Sequence, residues 1–230
     1  GLPVNTFEKY NQQLADRVIG KHLVPVREKD GSLSQREVEV SNCRVIPQPI
    51  GAFFDYATKT RTYDRMRSQM NLLIDIGYYT LDWLVDDGVK MVNARSGAHN
   101  GGMSAVLRSM AEAIGSEIGE QISDLSMLEE SIRTGIDPTF YGKPFDITEH
   151  LKIGKAKAEQ FVSVLVNKVG SALDISNIIL AGGGAEFFKD VLADKFPKHE
   201  IITTSDPVFA NVRGFQRAGQ QFADQMFKRG

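Results

Sequence analysis

Asp75-Ile76-Gly77-Tyr78-Tyr79-Thr80 places a carboxylate, a glycine and a hydroxyl within one short stretch. The apolar run Leu72-Leu73-Ile74 before it reads as a strand covered on both faces. Asp75 then comes near the strand end. Gly77 permits a tight turn with φ > 0, which brings backbone N–H groups close to an outside ligand. Thr80 adds a hydroxyl before a second strand leaves at Leu81. Such a hairpin suits a metal-bound phosphate. The N–H groups and the hydroxyl hold its oxygens, and the carboxylate holds the cation through water. A plain hairpin turn can carry the same residues, so this stretch alone does not decide. A second glycine cluster, Gly182-Gly183-Gly184, follows the apolar run Ile178-Ile179-Leu180-Ala181 and precedes a helix. Close strand–helix packing also favours glycine there.

The elements that must position these residues follow from periodicity. Thr6 reads as the N-cap of a helix with Phe7, Tyr10, Leu14 and Val18 on one side and Gly20 as its stop. Residues 22–27 and 37–46 read as strands around Lys29-Asp30-Gly31-Ser32. Val38, Val40, Cys43 and Val45 do not share one parity, which implies a bulge or break near Asn42. Pro47 and Pro49 end that strand, and Pro49 starts a helix through Thr58. Residues 59–70, with Arg61, Arg65 and Arg67, read as an exposed helix end or loop.

From Asn71 the pattern is a three-strand meander at 72–77, 80–85 and 89–94, turned at Asp86-Asp87-Gly88. A glycine- and serine-rich loop leads to a helix over 103–118, whose apolar face includes Val106, Leu107, Met110 and Ile114. Asn100-Gly101-Gly102 reads as a plain helix entry. Residues 119–150 are weakly patterned and read as an insertion with one short helix. A helix over about 148–173, the strand at 178, a helix over 186–196, a strand over 199–204 and a helix from Asp206-Pro207 to near Lys228 complete the order. Antiparallel strands followed by strands alternating with helices make an α/β layer on a mixed sheet.

The 230 residues suffice for one large or two small domains. The formal charge of −2, with no long basic run, argues against a broad nucleic-acid-binding face. Cys43 is the single cysteine, so no intrachain disulfide forms, which fits a cytoplasmic setting. Runs such as 161–166 are too short to span a bilayer, so no membrane partner is indicated. The histidines are too dispersed to suggest a metal site.

Taken together, the motifs resemble the actin-like ATPase superfamily. Asp75-Ile76-Gly77-x-x-Thr80-Leu81-Asp82 resembles its second phosphate motif, and Ile179-Leu180-Ala181-Gly182-Gly183-Gly184-Ala185-Glu186 its adenosine motif. With Leu2-Pro3 and Val45-Ile46-Pro47-Gln48-Pro49-Ile50-Gly51-Ala52 in the same order, the chain is most similar to bacterial plasmid-segregation actins of the ParM/StbA type. The resemblance covers nearly the whole chain. It implies a ribonuclease-H-like fold with a mixed five-stranded sheet and flanking helices, one complete domain plus part of a second. Residues 1–70 and the helix 206–230 would belong to the first domain, and 71–205 to the second, with the helical insertion at about 119–150. The family's first phosphate loop would lie before Leu2, so the resemblance implies an N-terminally shortened protein with weak or absent hydrolysis.

By the same resemblance the cofactors are ATP or ADP and Mg²⁺. Asp75 holds the metal through water. Gly77, Tyr78, Tyr79 and Thr80 hold phosphate. Gln48 orients the attacking water, since phosphoryl transfer depends mainly on placement and charge stabilisation. Gly182, Gly183 and Gly184 leave backbone bare for adenine and ribose beside a helix N-terminus, and Phe187 covers the base or joins the core. One departure stands out: Tyr78 and Tyr79 occupy the turn where ParM-type proteins carry a small residue, and tyrosine resists φ > 0. The implied function is an ATP-dependent filament for plasmid segregation, whose partners are further copies of itself and a centromere-binding adaptor that carries the DNA contact. A small-molecule kinase of the same superfamily, or a non-catalytic module that binds a complete partner, are the alternatives.

Overall fold

The computed structural model describes residues 1–227. In chain order, α1 (Val4–Val18) leads into a hairpin, β1 (Gly20–Arg27) and β2 (Leu33–Val40), then α2 (Gln48–Lys59) and the single turn α3 (Tyr63–Met66). The strands β3 (Met70–Ile76), β4 (Leu81–Asp87), β5 (Lys90–Met91) and β6 (Gly97–His99) follow, then α4 (Met103–Ile118) and α5 (Ser126–Thr134). A small hairpin, β7 (Thr139–Phe140) and β8 (Lys143–Pro144), precedes α6 (Thr148–Val169). The chain closes with β9 (Ile175–Ala181), α7 (Ala185–Lys195), β10 (Ile201–Thr203), a 3-10 turn at Pro207–Phe209 and α8 (Ala210–Phe227).

The central sheet runs in the order β10-β9-β3-β4-β5, five strands side by side, and β6 joins β5 on the outer edge of β4. β3, β9 and β10 are parallel, whereas β3 and β4 form an antiparallel hairpin. Alternation sorts β3 between two cores. Leu72, Ile74 and Ile76 face a large cluster built with α4, α6 and α7. Leu73, with Leu84, Ile179 and Ala181, faces the other way, against Ile50, Phe53, Ala57 and the start of α8. The sheet is therefore covered on both sides, which is why β3 and β9 read as unbroken apolar runs. Each fully buried Leu or Ile contributes roughly 1.5–3 kcal/mol.

Several expectations are corrected locally. α1 starts at Val4, and Pro3, three residues before Thr6, is in the capping position. Near Asn42 the strand breaks, as expected, rather than bulging. The β1–β2 ladder ends at Val40, and Leu2 pairs in parallel with Pro47 beyond it. The stretch 59–70 is not wholly exposed, because Met66 is fully buried. The third strand of the meander is broken in two. Residues 92–96 loop out between β5 and β6, and the Ser96 hydroxyl accepts the Val85 N–H at 3.0 Å in place of a ladder carbonyl. α6 stops at Val169 and β9 begins at Ile175, both earlier than periodicity implied. Lys228, the expected end of the last helix, lies outside the described residues.

α2 and α8 cross with their backbones in contact. A Cβ on Gly214 would fall 1.7 Å from the Gly51 carbonyl oxygen, and a Cβ on Gly51 2.4 Å from the Asn211 carbonyl oxygen. Beside the crossing, buried Asp55 accepts from Arg217 Nε at 3.0 Å and Arg213 Nε at 3.2 Å. At the far end of β3, Asp86 is fully buried. Its Oδ1 accepts the backbone N–H and the side-chain amide of Asn71 at 3.2 and 2.7 Å, while Oδ2 has no partner among the described residues. Burial is the main cause that pushes its carboxyl up to about 6.

Two outcomes follow. Gly214→Ala should cost about 3 kcal/mol, read as a lower denaturation midpoint, because backbone rather than a flexible side chain stands in the way of the new methyl. Asp86 binds its proton more tightly folded than unfolded, so its contribution to stability falls as pH rises from about 4 to about 6 and is flat above. Asp86→Asn keeps an acceptor for Asn71. Relative to wild type it should gain stability across that window, reaching on the order of 2 kcal/mol at neutral pH. A constant difference between the two unfolding curves from pH 4 to 7 would contradict the assignment.

Candidate functional site

β6 is antiparallel to β4, and β4 to β3, so β6, β3, β9 and β10 all point the same way. Their carboxyl ends form one rim, and α4, α7 and α8 start from it. The carboxyl edge of parallel strands is where α/β sheets take ligands, and helix N-termini add partial positive charge there. Both glycine-bearing stretches lie on this rim.

The turn after β3 is closed by the Gly77 N–H donating to the Thr80 carbonyl at 2.8 Å. Its outer carbonyls are taken up by α4: Met103 N–H donates to Gly77 O at 3.1 Å and Ser104 N–H to Tyr78 O at 2.8 Å. Gly102 makes that approach possible, since a Cβ there would sit 2.3 Å from Gly77 O. The N–H groups of Tyr78, Tyr79 and Thr80 donate to no protein acceptor among the described residues. Gly77 does not adopt φ > 0, contrary to expectation, and neither do Tyr78 and Tyr79. The four-residue turn closes without a left-handed residue, so the tyrosines sit in it unstrained, 39% and 68% exposed.

The glycine loop touches this turn directly. Gly182 has φ +86°, and a Cβ on it would lie 2.3 Å from Ile76 O and 2.6 Å from Asp75 Oδ1. The Gly184 N–H donates to Ile76 O at 2.9 Å, and a Cβ there would meet Ile76 Cγ2 at 2.4 Å. Gly182 and Gly184 therefore serve close packing, whereas Gly183 is exposed at the rim. Phe187 is half-buried and packs against the core beside Phe188.

Asp75 is 6% exposed and belongs to the face covered by α2 and α8. Its Oδ2 accepts from Asn211 Nδ2 at 2.8 Å. Burial, with the Asp82 carboxylate directly opposite in register, pushes its carboxyl up to about 6, while hydrogen bonds from Asn211 and the Gln48 side chain act against the rise. Asp82 is also raised, by burial, against hydrogen bonds from the Thr80 hydroxyl and the Val4 N–H. The latter spans 3.2 Å. Gln48, half-buried, is the first residue of α2, and its N–H donates to Leu2 O at 2.8 Å. The structure thus brings Gln48, Asp75, Gly77 to Thr80 and Gly182 to Gly184 to one place. Sequence reasoning missed Asn211, Asp82 and Gly102 as members. Asp82 stands within the phosphate-motif stretch but carries no role there, and Gly102 shows only the signal of a glycine before a helix; Asn211 shows none.

Residues 73–194 match the family described as archaeal actin homologue MreB-like, C-terminal, and residues 1–51 match the N-terminal domain of actin-like proteins. No curated protein sequence is a match. Among solved structures, an archaeal actin homologue in complex with ADP is 18% identical with a TM-score of 0.78, over 96% of this chain and 70% of that one. The apo ParM of pSK41 is 20% identical at 0.71, over 98% of this chain and 63% of its own. A ParM from a 15-stranded filament of Clostridium botulinum is 23% identical at 0.72, over 96% and 65%. These likenesses establish the fold, and the chain spans about two thirds of the length of each of these proteins. Because the first match takes in more than half of its residues, the chain belongs to the archaeal actin homologue MreB-like family, within the actin-like ATPase superfamily.

Proposed function

We propose that the rim around Asp75 and Gly182 binds ATP or ADP with Mg²⁺, and that the chain is the nucleotide-holding part of an actin-like filament protein. The observation that carries this reading is the junction itself: a buried carboxylate against a glycine loop, flanked by a turn whose N–H groups are unclaimed. The donor set suits the ligand. Hard oxygen donors such as Asp75 suit Mg²⁺, which keeps several of its waters. Free N–H groups at 78–80 suit phosphate oxygens, and exposed Gly183 leaves backbone open to a nucleoside. Bound Mg²⁺ would supply charge neutralisation to the phosphates. Asp75 would hold its water shell, Gln48 would orient a water near the terminal phosphate, and Thr80 would fix Asp82.

In this reading, residues 1–70 and the last helix belong to the first domain and 71–205 to the second, with the insertion at about 119–150. ADP in the archaeal homologue and the filament of the Clostridium ParM support nucleotide binding and self-assembly here. The finer reading is a cytoplasmic filament that hydrolyses ATP and moves plasmid DNA through a centromere-binding adaptor.

Calorimetry with ADP should show binding that Mg²⁺ strengthens. Asp75→Asn should remove about tenfold of the Mg²⁺-dependent gain, roughly 1.4 kcal/mol, and leave binding in EDTA unchanged. Gly182→Val should abolish binding, because a side chain there meets Ile76 O and the Asp75 carboxylate. Absence of heat with both ADP and ATP at millimolar concentration would refute the site. Protonation of Asp75 competes with the cation, so the Mg²⁺-dependent gain should fall as pH drops through about 6, toward the level of Asp75→Asn, and be flat above it. For the filament, the full-length protein should pellet with ATP and Mg²⁺ and stay in solution without nucleotide; equal pelleting in both would count against coupling.

A further inference from the structure

One buried amide ties the candidate site to the helices behind it. Asn211, the second residue of α8, is 9% exposed. Its Nδ2 donates to Asp75 Oδ2 at 2.8 Å, and its Oδ1 accepts the Ala52 N–H of α2 at 3.1 Å. Both ends of the side chain are used with opposite polarity. A flipped amide would set donor against donor and oxygen against carboxylate, so the network fixes its orientation. The backbone around it is equally fixed, since Gly51 packs on the Asn211 main chain and Gly214 on Gly51. α8 cannot slide along α2 without carrying this amide, and with it one oxygen of Asp75.

We propose that Asn211 is a positioning residue: it holds the Asp75 carboxylate toward the Gly182 loop and makes its orientation depend on the α2–α8 crossing. The amide suits the task. It is neutral at every physiological pH, and it offers the carboxylate an N–H without a cationic charge that would repel a metal. An arginine in its place would neutralise Asp75 and close the site to a cation. The orienting of a ligand by a partner that never touches the metal is a general feature of metal sites. The part of this proposal that concerns the cation rests on the nucleotide reading above; the part that concerns the carboxylate does not.

Two measurements test it on Asn211→Ala, with Arg217→Gln as a control that removes one of the two arginine partners of Asp55 and leaves the Gly51–Asn211 backbone contact, and so the crossing at Asn211, in place. The first is the affinity for ADP with Mg²⁺ and in EDTA. The second is the titration of the Asp75 carboxyl carbon followed by NMR in the protein without nucleotide. Asn211→Ala should lose at least fivefold of the Mg²⁺-dependent gain, keep its affinity in EDTA, and move the Asp75 titration to higher pH. Arg217→Gln should lower the melting temperature and change neither quantity. If both variants move both quantities alike, Asn211 is merely structural; if Asn211→Ala moves neither, the proposal is wrong. Should Asn211→Ala not fold, Asn211→Asp keeps an acceptor for Ala52 and removes the donor to Asp75, and the same readouts apply. If wild-type protein binds no nucleotide, the proposed function fails while the NMR titration still decides on Asn211.

Discussion

Asp75 and Asp82 face each other across the β3–β4 hairpin, both buried, beneath the starts of α1 and α2. Burying two carboxylates side by side is costly unless each is paired or hydrogen-bonded. What surrounds them is a set of neutral donors: the Asn211 amide, the Gln48 side chain, the Thr80 hydroxyl and the Val4 N–H. Among the described residues neither acid makes an ion pair. Asp55, a short distance along α2, shows the structural alternative, a buried acid gripped by two arginines. The difference between these solutions separates a carboxylate that cements helices from one left short of positive charge. A site short of positive charge at the mouth of a sheet is suited to a cation brought in with its ligand.

Strand polarity decides where that site can be. Because β6, β3, β9 and β10 run the same way, the helices that return from them all begin at the same rim. Their N-termini give the rim a positive bias that the two acids alone would reverse. The first amides of α4 are spent on the carbonyls of the turn after β3, and the N–H groups at 78–80 meet no acceptor among the described residues. The glycines at 102, 182 and 184 let the three backbones approach closely enough for this. The same sheet is covered on both faces, by α4, α6 and α7 on one side and α2 and α8 on the other.

How much of this could be read from sequence differs by element. α4 was legible to the residue, because Met103 to Ile118 carries an unbroken apolar face and Gly119 stops it. β3 and the glycine loop after β9 were legible because apolar runs bounded by glycine have few other meanings in an α/β chain. The broken edge strand was not, because Ser96 replaces a ladder carbonyl and no periodicity records such a substitution. Asn211 was invisible for a stronger reason. It lies 136 positions from Asp75, and an asparagine near a helix start has a sufficient local explanation. Pairings across such separations exist only once the sheet has brought the ends together.

The tyrosines at 78 and 79 show how backbone chemistry can outlast a change of side chain. A small residue in such a turn is needed if the chain must enter the left-handed region, and here it does not. With ordinary φ at both positions, the two rings pack edge to face, 4.8 Å apart, on the outside of the turn. The amides behind them keep their hydrogens free. What a turn offers a ligand depends on where its N–H groups point, and α4 fixes this turn through Gly77 O and Tyr78 O whatever side chains it carries. The constraint on residues in this turn comes from the helix that receives its carbonyls, which places the stricter requirement on Gly102, a position that contributes no side chain at all.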